Sequence, residues 1–150
     1  NHETEGEMMV DESKSVGELE FRFRHTMLPV SDMARAVDFY TRILGMQVVR
    51  TRDKGSDGRT ISYVGYGDEG TNPVLELIAG TGNAEKPWAG HIAIAVSDLR
   101  MLCATLEKEG VRFAKPLIEA VGGSNTYIAN IYDPDGFEIE LNQRKDGLYS

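Results

Sequence analysis

The sequence predicts an α+β fold of two tandem βαβββ modules, and three observations predict it. A short phrase occurs twice, as His25-Thr-Met-Leu-Pro-Val30-Ser31-Asp32 and as His91-Ile-Ala-Ile-Ala-Val96-Ser97-Asp98, with the two histidines 66 residues apart. Each copy closes on a glutamate flanked by aliphatics, Leu75-Glu76-Leu77 and Ile139-Glu140-Leu141, 64 residues apart. Between phrase and glutamate, helical and alternating patterns follow in the same order in both halves.

The elements follow in turn. Phe21 to Val30 alternates and is rich in strand formers. Ser31-Asp32 offers an N-cap, Met33, Val37, Tyr40 and Leu44 recur at helical spacing, and Gly45 ends the helix. Met46 to Arg52 and Thr60 to Tyr66 read as strands joined by the turn-rich segment from Asp53 to Gly58, and Pro73 to Ala79 makes another strand. The stretch from Gly80 to Pro87, rich in Gly, Asn and Pro, links the modules. In the second half His91 to Val96 is a strand, and Ser97-Asp98 caps a helix that carries Leu99, Leu102 and Leu106 on one face and stops at Gly110. Strands are expected near Val111–Lys115, Asn125–Tyr132 and Phe137–Asn142, the last two joined by the turn Asp133-Pro134-Asp135-Gly136. Each module, about 21–80 and about 88–145, is too small to be comfortably stable alone, so residues 21–150 read as one domain.

Charge separates this body from its N-terminal segment. The formal charge is −8, but residues 1–20 hold seven acids against Lys14 alone, leaving only −2 for the remaining 130 residues. That segment has few large apolar residues and no periodicity, and is expected to be a disordered or loosely docked tail. It lacks the apolar core of a signal peptide, and no run of about 18 apolar residues could span a membrane, so a cytoplasmic protein is expected. A lone cysteine, Cys103, excludes an internal disulfide and fits a reducing compartment; among Leu99, Leu102 and Leu106 it reads as a buried structural thiol. The near-neutral body has no basic stripe interleaved with aromatics, which argues against nucleic-acid binding.

Strand alternation then sorts the repeated residues. Ile92, Ile94 and Val96 share one face and should meet the helix, which places His91, Ala93 and Ala95 on the other. Ile139 and Leu141 face the core while Glu138 and Glu140 point away, and Glu76 points away from Leu75 and Leu77. His25, Glu76, His91 and Glu140 therefore fall on faces opposite the helices, where a curved sheet would gather them in one cup. Two imidazoles and two carboxylates suit a borderline divalent ion. Glu138 shares the face of Glu140, but the match of Leu-Glu-Leu with Ile-Glu-Leu favours Glu140 as the ligand.

At these residues the chain resembles a known family. His25-Thr-Met-Leu, Val37-Asp-Phe-Tyr40-Thr, Leu44-Gly45-Met46, Val64-Gly-Tyr-Gly67, Leu75-Glu-Leu77, Gly90-His-Ile-Ala93 and the run from Asp133 to Leu141 are similar to glyoxalase I (lactoylglutathione lyase) of the vicinal oxygen chelate superfamily. The resemblance spans Phe23 to about Lys145 and implies the glyoxalase/bleomycin-resistance/dioxygenase fold. It implies that His25, Glu76, His91 and Glu140 hold one divalent metal, with nickel or cobalt favoured and zinc as the alternative. The implied chemistry is isomerisation of the hemithioacetal of methylglyoxal and a thiol to a 2-hydroxyacyl thioester through a metal-stabilised enediolate. Glu140 is then the base, with Glu76 able to assist on the opposite face, and the expected assembly is a homodimer with sites completed at the subunit interface.

Three positions depart from the family pattern, all at its glutathione contacts: Pro29 in place of an Arg, Gly80 in place of an Asn, and Val121 in place of a basic residue. The co-substrate is accordingly expected to be glutathione or another thiol. Two rival readings are another metal enzyme of the superfamily (an epimerase, a dioxygenase or a resistance thiol transferase) and a non-catalytic small-molecule binding module. A sequestering module needs no metal, so retention of four ligands argues against it.

Overall fold

The computed structural model describes residues 15–52, 58–80, 90–119, 126–145 and 147–148. The expected acidic tail lies outside these residues as far as residue 14, and a short 3-10 turn covers Val16–Glu18. Most of the turn after Arg52 and most of the inter-module linker also lie outside them.

The first module runs β1 (His25–Val30), α1 (Met33–Asp38), β2 (Gln47–Arg52), β3 (Thr60–Gly65) and β4 (Val74–Ala79). The second runs β5 (His91–Ala95), α2 (Leu99–Lys108), β6 (Phe113–Ile118), β7 (Thr126–Tyr132) and β8 (Glu138–Arg144). Each module folds its own four-stranded mixed sheet, ordered β1-β4-β3-β2 and β5-β8-β7-β6. In both, the phrase-bearing strand pairs in parallel with the glutamate-bearing strand, and the remaining pairs are antiparallel. The prolines obey the sheet: Pro29 and Pro116 sit on the end strands β1 and β6, where a missing N–H leaves no interior ladder bond unmade.

The repeated Val-Ser-Asp has a local job. Asp32 accepts a hydrogen bond from the Arg35 N–H at 3.0 Å and Asp98 from the Met101 N–H at 3.1 Å. The aspartate rather than the serine is the N-cap in each copy, a contact of about 1 kcal/mol. Ser31 is left free for a longer reach, and both its backbone N–H and its hydroxyl donate to Asp135 Oδ1.

Two elements differ from expectation. β1 begins at His25, not Phe21; Phe21 to Arg24 are exposed, although the Arg24 carbonyl accepts from the Val74 N–H at 3.2 Å. The first helix does not run as one α-helix to Leu44. After Asp38 it widens into a π-helical turn over Phe39–Ile43, with the Leu44 N–H bonded to the Phe39 carbonyl at 3.1 Å. The adjacent Phe39 and Tyr40 are both buried in this wider turn. Gly45, at φ +75°, then closes the element.

The helix-side faces of both sheets share one core. Leu28, Val30, Ala36, Phe39, Tyr40, Leu75 and Leu77 of the first module join Leu99, Cys103, Leu106, Ile131, Ile139 and Leu141 of the second in a single cluster. Burial raises the Cys103 thiol above its ordinary value, as a structural thiol requires. Polar contacts add to this junction: the Tyr40 hydroxyl reaches Asp133, and Arg42 pairs with Glu109 at 2.9 Å. The opposite face is buried in part on the first sheet, at Val74, Ile78 and Tyr63, and more exposed along β5. On β5, His91, Ala93 and Ala95 are exposed while Ile92 and Ile94 are half-buried, the alternation expected from the sequence. Among the described residues no helix is long and apolar enough to cross a membrane.

Candidate metal centre

The strand register sets the site. His25 lies beside Val74, and Glu76 lies two residues further on, beside Met27. The second module repeats that offset, with His91 beside Glu138 and Glu140 beside Ala93. Because side chains two apart on a strand share a face, each histidine and its offset glutamate point the same way. His25 Nε2 stands 3.7 Å from Glu76 Oε2, and His91 Nε2 stands 3.8 Å from Glu140 Oε1. Glu138, directly across from His91, accepts instead from the Asn130 amide at 3.3 Å.

The two pairs do not converge within one chain. Among the described residues no three His, Cys, Asp or Glu side chains cluster as a metal site. Within one chain the four residues therefore stand as two pairs, His25 with Glu76 and His91 with Glu140.

Each half-site suits a metal by its donors. The separations are too long for a direct hydrogen bond, so neither imidazole is consumed by its carboxylate. Two N/O ligands on one ion at about 2.1 Å stand roughly 3–3.5 Å apart, so each pair would close by roughly 0.2–0.8 Å to share one ion. Among the described residues His25 Nδ1 is buried with no hydrogen-bond partner, an orphaned polar atom on the ring. The histidine and glutamate side chains keep 15–45% of their surface, open enough for an ion to enter.

The half-sites differ in their supports. The Tyr63 hydroxyl donates to Glu76 Oε2 at 2.5 Å, from a residue only 2% exposed. The Arg50 guanidinium lies 3.9 Å over the Tyr63 ring and is held in turn by Glu69 at 2.5 Å. Glu140 Oε2 instead accepts from the Asn142 amide at 3.3 Å. Sequence reading missed Tyr63. Alternation placed it on a strand face, but only the register, with Tyr63 opposite Glu76 and Arg50 opposite Tyr63, shows what it touches.

The positions that depart from the glutathione pattern divide. Pro29 is half-buried on the face of His25 and Met27. Gly80 has φ +89°, and a Cβ there would lie 3.3 Å from the Gly58 carbonyl, so glycine suits this backbone. Val121 lies outside the described residues.

Known proteins fit this architecture. The family model Glyoxalase/Bleomycin resistance protein/Dioxygenase superfamily matches residues 22–141. A probable lactoylglutathione lyase of Vibrio cholerae is 40% identical over 83% of this chain and 91% of its own length. The lactoylglutathione lyase of Escherichia coli O157:H7 is 38% identical over 83% of this chain and 94% of its own. Among solved structures, the trypanothione-dependent glyoxalase I of Leishmania major superposes with a TM-score of 0.71 at 35% identity, covering 85% of this chain and 89% of that one. With the family model matched across both modules, the chain belongs to the Glyoxalase/Bleomycin resistance protein/Dioxygenase superfamily.

Proposed function

We propose that this protein is a glyoxalase I-type lyase that converts the hemithioacetal of a 2-oxoaldehyde such as methylglyoxal and a thiol into a 2-hydroxyacyl thioester. One observation carries the reading: two imidazole–carboxylate pairs at the same register in both modules of a chain 38–40% identical to lactoylglutathione lyases. His25, Glu76, His91 and Glu140 would hold one divalent ion, nickel or cobalt in preference to zinc. Since one chain offers two separated half-sites, the complete site pairs His25 and Glu76 of one chain with His91 and Glu140 of a second in a homodimer.

When bound, the ion supplies Lewis acidity that offsets the negative charge developing on the substrate oxygens. Glu140 takes the proton from C1 and returns it to C2, and Glu76 faces the opposite side of the substrate. The lightly held Glu140 carboxylate suits a group that must change partners during turnover. A second copy closing over the exposed His91, Ala93 and Ala95 face would exclude water from the site. Pro29 and Gly80 carry no charge to grip a glutathione carboxylate, which favours a differently bound glutathione or another thiol, as trypanothione serves the Leishmania major relative. The chain loaded with nickel, cobalt or zinc is mixed with methylglyoxal and glutathione, trypanothione or a simple monothiol, and ultraviolet thioester absorbance is followed. Thioester growth with at least one thiol is expected; none with any thiol on a metal-loaded chain would overturn the reading.

A further inference from the structure

Resting on the metal-site reading above, we propose that Tyr63 is a positioning residue that fixes Glu76 as the rigid carboxylate of the centre and leaves Glu140 as the mobile one. The two glutamates are equivalent by register but not by surroundings. β3 is an inner strand between β4 and β2, and it sets Tyr63 opposite Glu76. The ring has nowhere to go: Tyr63 is 2% exposed, Arg50 covers one face at 3.9 Å, and the His25 ring meets it edge-on with centroids 5.9 Å apart. From this fixed ring the hydroxyl donates at 2.5 Å to Glu76 Oε2, the oxygen that also lies nearest His25 Nε2. A hydrogen bond to a carboxylate is short and strong, and turning Glu76 away would leave a buried hydroxyl unpaired.

Among the described residues the second module lacks this device. The residue opposite Glu140 is Asn130, whose amide donates to Glu138 instead. The amide that does reach Glu140 belongs to Asn142, two residues along the same strand, at 3.3 Å. One carboxylate is thus held by a buried donor on a neighbouring strand, and the other by a longer contact from a partly exposed side chain on its own. The tyrosine hydroxyl occupies only part of the acceptor capacity of Glu76, so an ion can still be ligated while the orientation is kept.

The test uses the full chain and the metal alone, with nickel or zinc affinity read by competition against a chromophoric chelator. Tyr63→Phe keeps the ring and its stack with Arg50, and thermal unfolding of the metal-free variant checks that the fold survives. Metal affinity should fall about 10-fold, at the lower end of what loss of a ligand-orienting partner brings. The loss should vanish in a Glu76→Gln background and persist in full in a Glu140→Gln background, a pattern that general loosening of the site would not give. Unchanged affinity in Tyr63→Phe, or an equal loss in both backgrounds, would overturn the inference while leaving the metal reading intact. A wild-type chain that binds none of the ions would overturn both.

Discussion

The Tyr40 hydroxyl donates a 2.6 Å hydrogen bond to Asp133 Oδ2, tying the π-helical turn of the first module to the β7–β8 turn of the second. Asp133 Oδ1 accepts from the Asp135 and Phe137 N–H groups, so this one buried carboxylate shapes the turn and clasps the modules together. Tyr40→Phe leaves Oδ2 buried without its partner and should cost about 1–3 kcal/mol. Urea unfolding of the metal-free chain measures it, and a midpoint equal to wild type would show the clasp to be energetically idle.

The same pair sets an alkaline limit. Burial, and after it the Asp133 charge, push the Tyr40 hydroxyl well above its ordinary value of 10.0. A value raised in the folded state means that its contribution is complete below about pH 10 and is lost as pH climbs through the unfolded value toward the folded one. Burial likewise pushes Tyr66 up to about 12, so it adds to the same loss. Unfolding midpoints at about pH 9 and about pH 11 should fall steeply for wild type and less steeply for Tyr40→Phe. Identical slopes in the two proteins would refute the assignment.

Glu140→Gln should retain most metal binding and lose turnover by about 10²-fold or more, the range of a missing general base. Turnover of the metal-loaded variant, with metal content checked in the same sample, decides the matter. A fully active, fully loaded variant would remove Glu140 from the base role.

The proposed sharing of the site between two chains makes an arithmetical prediction. His25→Ala and His91→Ala chains should each be inactive alone. Mixed and reassociated, half the dimers are hybrid, and each hybrid holds one site with both histidines lost and one intact site, so about a quarter of wild-type activity should return. If all four ligands came from one chain, no mixture would recover any.

Gly65 packs against the strand that carries Glu76. A Cβ there would stand 2.8 Å from Val74 Cγ1 and 3.3 Å from Val74 Cβ, and Val74 lies beside His25. Gly65→Ala should destabilise by about 1–3 kcal/mol through overpacking and weaken metal binding through the displaced strand. Gly17→Ala, with nothing within 4 Å, is the control expected to change neither. Equal stability of the two variants in denaturant would dismiss the steric argument.

Much of the fold was legible because its signals are local. The twofold phrase, the Asp N-caps and the alternation along His91 to Ala95 each act within a few residues, and each predicted strand has a counterpart within a few residues of its expected bounds. The match of the repeats that favoured Glu140 over Glu138 corresponds to a shared register, since Glu76 and Glu140 stand at the same offset from their histidines. What stayed hidden was set by contacts distant in sequence. Tyr63 and Glu76 are 13 residues apart and Tyr40 and Asp133 are 93 apart, and no periodicity announces either meeting. The core formed by both modules together is likewise invisible to residue-by-residue patterning.

Pro29 acts on the histidine strand in a way that reaches beyond thiol recognition. β1 ends its sheet, and an unpaired strand edge is a template onto which another chain can add, copy after copy. The pyrrolidine nitrogen has no hydrogen to offer, so the ladder such growth requires is broken four residues past His25. A second chain approaching this edge finds no continuous backbone ladder to extend. Restoring the arginine by Pro29→Arg would therefore return a cation and a backbone donor together, joining a gain in anion recognition to a rise in self-association.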